Sequence, residues 1–346
     1  MNIAIHIPTV PTPATRPPKT HADSYLRSSH SSAAILSSPD PRPSAAVLFP
    51  TKTRVLPASH FLFLIGGNES PISSHFYPPA QRDSLRDRML RATPDSQMSL
   101  SNKIALITGA SKGLGKAMAL ALSSAGATVA LVSRDSAKLT AVQAEITAAG
   151  GNAEVFVADV TSESQVDRLE TEVSDLLGKV QILINNAGIN VRKNLVDFTL
   201  DEWQSVLNTN LTSVFLMSRR FVPHMRGTGY GRVLCMTSIM SHVSLPQRSA
   251  YSASKAAVLG LIRALALELA PEGITVNGIS PGPFATEMNL PIVNNPELNA
   301  QFVANIPVGC WGKVEDIGSL ATFLCSDSAS FITGTDILID GGWTAK

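Results

Sequence analysis

Apolar positions along this chain fall into short unbroken runs, separated by stretches with helical spacing. Lys103-Ile-Ala-Leu-Ile-Thr108 is the first run, closed by a glycine-rich turn. Helical spacing then passes through Leu114, Met118, Ala121 and Leu122 and stops at Gly126. A second run, Thr128–Ser133, leads into a predicted helix from about Asp135 to Ala149, closed by Gly150 and Gly151. Further runs at Glu154–Val157, Val180–Ile184, Val233–Met236, Ile274–Asn277 and Asp336–Ile339 complete a set of predicted strands. Apolar strands alternating with helices require a parallel sheet covered on both faces. Right-handed crossovers then give an α/β fold, a single doubly wound parallel sheet of about seven strands. The ligand crevice of such a sheet lies at the carboxyl ends of its strands, and each motif discussed below follows one of those ends.

The periodicity is missing before Met98. Residues 1–97 hold 14 of the 22 prolines and five of the seven histidines, and residues 1–60 have only Asp23 and Asp40 as acids. Such a stretch buries too little apolar surface to offset its chain entropy, so it reads as a disordered leader. A Ser-rich, Arg-containing, acid-poor leader suits an organelle transit peptide, with plastid the first reading and mitochondrion the second. The alternatives are a functional tail, or a dispensable extension with translation starting at Met98, which would leave a cytoplasmic protein. The predicted domains are therefore 1–97 and 98–346.

Composition excludes several classes of function. The chain carries 28 basic and 27 acidic residues, a net charge of +1, which gives no drive toward nucleic acid or an anionic membrane. The longest apolar runs, such as Phe61–Ile65, are far short of the roughly 20 residues a membrane helix needs. Three scattered cysteines form neither a disulfide framework nor a metal site.

The first turn carries the first chemistry. In Thr108-Gly-Ala-Ser-Lys-Gly-Leu-Gly115, the glycines at 109, 113 and 115 allow a tight turn. Backbone N–H groups of the loop, which includes Ser111, Lys112 and Leu114, can then approach a pyrophosphate at a helix N-terminus. The spacing G-x-x-x-G-x-G differs from the general dinucleotide fingerprint, but its strand–turn–helix setting supports the same use. An acid at the end of the second strand would select NAD, whereas cations select NADP. Ser133 and Arg134 stand there, with Lys112 in the loop, so NADP(H) is favoured. Asp135, the competing acid, is expected to cap the next helix.

Tyr251-Ser-Ala-Ser-Lys255 puts a phenol and an ammonium on one helical face. A free tyrosine titrates near pH 10 (about), too high for acid–base work at neutrality, and a nearby Lys⁺ lowers it. Ser238 ends the fifth strand, where its hydroxyl can meet a substrate oxygen. Asn210 offers an amide on the preceding long helix.

These residues resemble the short-chain dehydrogenase/reductase family, non-extended type, over about Leu100 to Trp343. The resemblance rests on the glycine loop, Asn185-Asn186-Ala187-Gly188, Asn210, Ser238, Tyr251-x-x-x-Lys255 and Pro281-Gly282. It implies a Rossmann-type fold, a catalytic set of Asn210, Ser238, Tyr251 and Lys255, and a homotetramer or homodimer. It further implies that Tyr251 is the general acid/base, that Lys255 bonds the nicotinamide ribose and depresses the tyrosine pKa, and that Ser238 orients the substrate oxygen. Asn210 would hold a water in the proton relay. Asp159 and Val160 would face the adenine, Asn186, with Ala187 and Gly188, would lie beneath the ribose, and Pro281, Gly282 and Thr286 would fix the carboxamide.

Two groups within the family are most similar: the gluconate 5-dehydrogenase group, through Ala187–Lys193 and Asp201-Glu-Trp203, and the 3-oxoacyl-carrier-protein reductase group, through the C-terminal Ile332–Gly342 stretch. Gly229 and Glu272 stand where those reductases carry carrier-docking arginines, and Glu272 would repel an acidic carrier. A small carbonyl or hydroxy substrate, such as a sugar acid, is therefore expected over an acyl carrier. Arg192 and Lys193 are candidates for an acidic substrate group, or belong to a solvated loop. His242 and Gln247 are candidate pocket residues, His242 more as a hydrogen-bonded loop residue than as a catalyst. The Pro-rich Phe284–Pro307 segment reads as a lid, and Gly341-Gly342-Trp343 as an oligomer contact or a sheet closure. A non-catalytic NADP(H)-sensing module is the reading from another class.

Overall fold

The computed structural model describes residues 98–345 apart from Met288, so the leader expected over 1–97 lies outside the described residues. Seven strands form the sheet: β1 Ile104–Thr108, β2 Thr128–Ser133, β3 Asn152–Val157, β4 Ile182–Asn185, β5 Gly231–Met236, β6 Ile274–Pro281 and β7 Asp336–Ile339. Their order is β3-β2-β1-β4-β5-β6-β7, and every pairing is parallel. The order reverses between β1 and β4, which opens the crevice beyond their carboxyl ends.

Side chains alternate across the sheet and are buried on both sides, as unbroken apolar strands require. Ala105 and Ile107 face the layer of α1 (Gly113–Ser124), α2 (Ser136–Ala148) and α9 (Val314–Cys325). Leu106 faces α3 (Glu163–Leu176), α5 (Ser213–Phe221) and α6 (Ser249–Leu269) on the other side. Small residues set how closely α1 and α9 approach. A Cβ on Gly318 would lie 2.8 Å from that of Ala121 and 3.0 Å from the Ala117 carbonyl. That contact fixes α1 with its N-terminus at the crevice.

β6 runs four residues beyond its expected end, through Gly278, Ile279, Ser280 and Pro281. Polarity conceals this half of the strand. The Asn277 amide donates to Ile332 O and accepts from Thr335 N, so a buried polar side chain is partnered on both its nitrogen and its oxygen. The Pro-rich segment Phe284–Pro307, expected as a lid, contains two short helices, α7 Leu290–Val293 and α8 Pro296–Val303. Asn295 caps α8, and Phe302 stacks on Trp311 at 4.8 Å. Gly341 and Gly342, both at positive φ, pack against Ile306 and Pro307 of the same chain. Their close approach is to the loop that follows α8. No helix among the described residues is long and apolar enough to cross a membrane.

Candidate active site

Beyond the carboxyl ends of β1, β2, β4, β5 and β6 lies a crevice of about 510 Å³. All the residues expected to bind the cofactor line it, from the glycine loop and Ser133–Arg134 through Asp159–Val160 and Asn186–Gly188 to Pro281, Gly282 and Thr286. Ser238, Tyr251 and Lys255 line it too. Asn210 does not, although its neighbour Thr209 does.

At the glycine loop, geometry explains composition. Gly109 and Gly113 have φ of +65° and +55°, which side chains rarely adopt. Gly115 is helical, but a Cβ there would sit 2.3 Å from Gly109 O. The Asn186 amide Nδ2 donates to Thr108 O at 2.8 Å and to Gly109 O at 3.2 Å. Thr108 Oγ1 in turn accepts from the backbone N–H groups of Asn186 and Ala187. The ends of β1 and β4 are thus laced together, and Thr108 is a supporting residue the sequence reading did not single out.

The outer end of the crevice carries three cations, each beside a carboxylate. Lys112 lies 3.4 Å from Glu287, Arg134 3.6 Å from Asp159, and Lys138 2.9 Å from Asp135. All three cations are largely exposed, so these pairs are weak and easily exchanged for a better anion. Lys138, one turn into α2, was absent from the expected set; its spacing from Arg134 (i, i+4) was the available signal. Asp135 caps α2 as expected, accepting from Lys138 N at 3.1 Å. Partial burial works to raise the Asp159 pKa. Hydrogen bonds from Thr161 and the Arg134 charge outweigh it and hold the carboxyl below its usual range.

At the inner end, Ser238 leaves β5 in extended conformation and caps a short turn, its Oγ accepting from Met240 N at 3.1 Å. The same hydroxyl faces the Tyr251 phenol, whose pKa it lowers. Tyr251 and Lys255 occupy successive turns at the start of α6. Lys255 is 4% exposed, and its ammonium makes one hydrogen bond, to Met236 O at 2.5 Å. Two of its three donors are left for a ligand.

Electrostatics here depart from the expectation that lysine lowers the tyrosine pKa. In this structure burial dominates and raises the Tyr251 pKa, against the Ser238 hydrogen bond and the Arg248 charge, which lower it. Burial also lowers Lys255, to about 8. Nζ lies 5.8 Å from the ring centroid, and burial rather than the lysine charge sets the direction of the phenol's shift.

Asn210 sits in a π-helical turn, Asn208–Thr212, between α4 (Leu200–Leu207) and α5. Its Oδ1 accepts from Ile189 N, and its Nδ2 donates to Ile189 O and to Ser254 Oγ. Ser254 Oγ donates onward to Tyr251 O. The amide is therefore a strut between the loop after β4 and the helix of Tyr251. A Cβ on Gly188 would meet both Asn210 Oδ1 (3.3 Å) and Lys255 Nζ (3.5 Å), so glycine keeps this corner open.

Of the other candidates, Lys193 is held by Glu202 at 2.5 Å, and Arg192 has no ion pair among the described residues. His242 bonds Asp336 at 2.6 Å and, like Gln247, does not line the crevice. Glu272 pairs with Arg226 at 3.4 Å, so the outright repulsion of an acidic partner becomes a neutralised pair. No group of three or more His, Cys, Asp or Glu suited to a metal occurs among the described residues.

Known proteins share this arrangement. A family model described as enoyl-(acyl carrier protein) reductase matches residues 109–344. A gluconate 5-dehydrogenase of Gluconobacter oxydans is 36% identical over 248 residues, 72% of this chain and 97% of its own. A 3-oxoacyl-[acyl-carrier-protein] reductase of Synechocystis is 38% identical over 247 residues, 70% of this chain and 98% of its own. A tropinone reductase homolog of Arabidopsis thaliana, described as chloroplastic, is 33% identical over 276 residues, 80% of this chain and 84% of its own. Among solved structures, a gluconate 5-dehydrogenase of Burkholderia cenocepacia in complex with NADP and tartrate has a TM-score of 0.70 at 31% identity. It covers 73% of this chain and 100% of its own. With a family model spanning well over half of the sequence and relatives matched almost from end to end, the chain belongs to the short-chain dehydrogenase/reductase family.

Proposed function

We propose that the chain is an NADP(H)-dependent oxidoreductase that interconverts a carbonyl and a secondary alcohol, with Tyr251 Oη giving or taking the proton. The observation that carries this reading is the convergence of Ser238, Tyr251 and Lys255 on one wall of the glycine-loop crevice.

The residues present suit the dinucleotide. Gly115 leaves space that a single Cβ would fill, and buried Lys255 has donors with no protein partner. The loop Gly109–Gly115 would hold the pyrophosphate, and Ser133, Arg134 and Lys112, joined by Lys138, the 2′-phosphate. Asp159 and Val160 would bound the adenine; Asn186, Ala187, Gly188, Lys255, Pro281, Gly282 and Thr286 would take the remainder. NADP(H), when bound, supplies or accepts the hydride. The protein orients the carbonyl through the Ser238 hydroxyl and delivers a proton from Tyr251, whose raised pKa keeps it protonated for reduction. Asn210 holds the Tyr251 helix against the Ile189 loop, at the inner end of the relay through Lys255.

For the substrate, we infer a small carbonyl compound bearing a carboxylate. Lys193 is already neutralised, which leaves Arg192 and Arg248, neither with a carboxylate partner among the described residues. Arg248 is the cap residue before α6, three residues ahead of Tyr251, and like Arg192 it stands outside the lining of the crevice itself. Partial burial and the Arg192 charge lower the Arg248 pKa, as expected for two guanidinium groups facing one space. Gluconate dehydrogenases among the relatives fit this reading. A 3-oxoacyl-carrier-protein reductase is the second reading, favoured by the Synechocystis relative, but the Arg226–Glu272 pair and Gly229 offer an acidic carrier no free cation.

The test is NADPH consumption across keto-sugar acids, neutral ketones and a 3-oxoacyl thioester. Arg192→Ala and Arg248→Ala are each expected to raise KM for the keto acid about 10-fold, the worth of one charge-assisted hydrogen bond, and to leave a neutral ketone unchanged. Preference for the thioester would overturn the substrate assignment.

Residues 1–97 we read as a transit peptide and 98–346 as the catalytic domain. The chloroplastic relative supports the leader: its match spans 276 residues, more than the 249 from Met98 to Lys346 (346 − 97), so the likeness reaches upstream of Met98. Import into isolated plastids tests this, and failure to enter them would remove it. Self-association, to a tetramer or dimer, is supported by exposed apolar residues such as Leu267 on α6 and Phe215 on α5. Light scattering at the monomer mass of 36.6 kDa would contradict it.

A further inference from the structure

One buried carboxylate near the site has no part in the chemistry above. Asp336, the first residue of β7, is 8% exposed at its side chain. Its Oδ1 accepts from Thr237 Oγ1 at 2.5 Å, and its Oδ2 accepts from Ser280 Oγ at 2.5 Å. His242 Nε2 lies 2.6 Å from the same Oδ2. The single Thr237 hydroxyl proton has three acceptors within reach, Ile279 O at 2.7 Å, Ser280 Oγ at 2.9 Å and Asp336 Oδ1, of which the carboxylate is the nearest and the only charged one. Short hydroxyl–carboxylate contacts of this kind are charge-assisted and stronger than neutral ones. The space is built for the group: a Cβ on Gly278 would fall 2.1 Å from Asp336 Oδ1.

The three donors come from three places that matter to the reaction. Thr237 adjoins Ser238 at the end of β5. Ser280 adjoins Pro281 and Gly282 at the end of β6. His242 lies in the loop from Ser238 to the start of α6, four residues after Ser238. That loop is mostly exposed and bends through a positive φ at Gln247, so little else ties it to the sheet. Strand β7 pairs with β6 alone, and its first side chain is what reaches past β6 to β5.

We propose that Asp336 is a positioning residue: its carboxylate clasps the ends of β5 and β6 and, through His242, the intervening loop, and so holds Ser238 in register with Tyr251. The effect passes through Thr237 and His242, and Asp336 itself touches no reacting atom. This rests on the oxidoreductase reading for its kinetic part. An error of 1 Å in placing a reacting group costs up to about 100-fold in rate, so loosening one clasp belongs about a factor of ten below wild type.

Asp336→Asn keeps the shape and removes the charge. With the full chain, and active sites counted by NADPH titration, kcat is expected to fall about 10-fold while KM and NADPH affinity stay within about 2-fold. His242→Leu is expected to lower kcat several-fold, and His242→Gln, which can still donate to the carboxylate, to restore most of it. Hydrogen exchange provides a readout independent of turnover. Amides of 237–243, including Met240 N on Ser238 Oγ, should exchange faster in Asp336→Asn, and those of β1 and β2 should not. Unchanged exchange over 237–243 overturns the clasp. Wild-type kcat per NADPH site in Asp336→Asn, with faster exchange, overturns the kinetic role. Absence of any turnover in the wild type would count against the oxidoreductase reading, with the exchange result still deciding the clasp.

Discussion

Replacing Tyr251 by phenylalanine is expected to lower kcat for carbonyl reduction about 1,000-fold and to leave NADPH affinity within about 2-fold, since general acid–base catalysis is worth 10²–10⁴. The substitution removes one oxygen from a partly buried ring and leaves the glycine loop untouched. The geometry makes this the largest single effect, because among the described residues Tyr251 is the one phenol lining the crevice beside Ser238, and His242 is turned away toward Asp336. A pH profile adds to the test. Burial raises Tyr251, so it keeps its proton at neutrality, while Lys255, lowered to about 8, loses its charge as pH rises through that value. For reduction, kcat/KM should therefore hold below pH 8 and fall above it, as the lysine that supports proton delivery becomes neutral. Survival of most activity in Tyr251→Phe would remove the mechanism and leave the sensor reading standing.

The second large effect belongs to Gly115→Ala. Alanine is the better helix former by about 1 kcal/mol, so propensity alone forecasts a gain in α1. The structure reverses that sign. The new Cβ would fall 2.3 Å from Gly109 O and 2.5 Å from Asn186 Nδ2, against a backbone carbonyl and an amide that laces β1 to β4. The loop must shift, and the NADPH Kd is expected to rise about 100-fold, near 3 kcal/mol, with a lower Tm from overpacking. Gly260→Ala, in α6 with nothing within 4 Å of the new Cβ, is the matched control and should leave NADPH affinity unchanged. Wild-type NADPH affinity in Gly115→Ala would show that the loop tolerates what its geometry forbids.

Much of this was legible in the sequence because parallel strands buried on both faces leave a plain signature. The runs at Lys103–Thr108 and Thr128–Ser133 needed no more than length and apolarity to be recognised, and the turn between β1 and α1 followed from glycine spacing. Strand ends were harder to read. β6 continues through Gly278 and Ser280, whose polarity breaks the apolar run yet serves buried hydrogen bonds around Asp336. The helices between Leu290 and Val303 were hidden by proline and asparagine, which act there as N-terminal residues and caps. At the site, residue identity and order located the crevice, but partners did not follow from order. Pairing of Lys193 with Glu202, the Asn210 amide on Ile189, and the burial that lowers Lys255 all depend on contacts between distant segments. The direction of the tyrosine shift was likewise decided by burial, which a four-residue spacing does not encode.

The most direct test of the account is the rate of NADPH and NADH consumption by the full chain with a keto-sugar acid. Arg134, Lys112 and Lys138 beside Ser133, with Asp135 committed to its cap, predict kcat/KM at least about 10-fold higher with NADPH, a margin of one to two charge-assisted contacts. That preference should narrow in Arg134→Ala. Equal or faster turnover with NADH, or NADPH binding with no carbonyl reduced, would contradict the central claim.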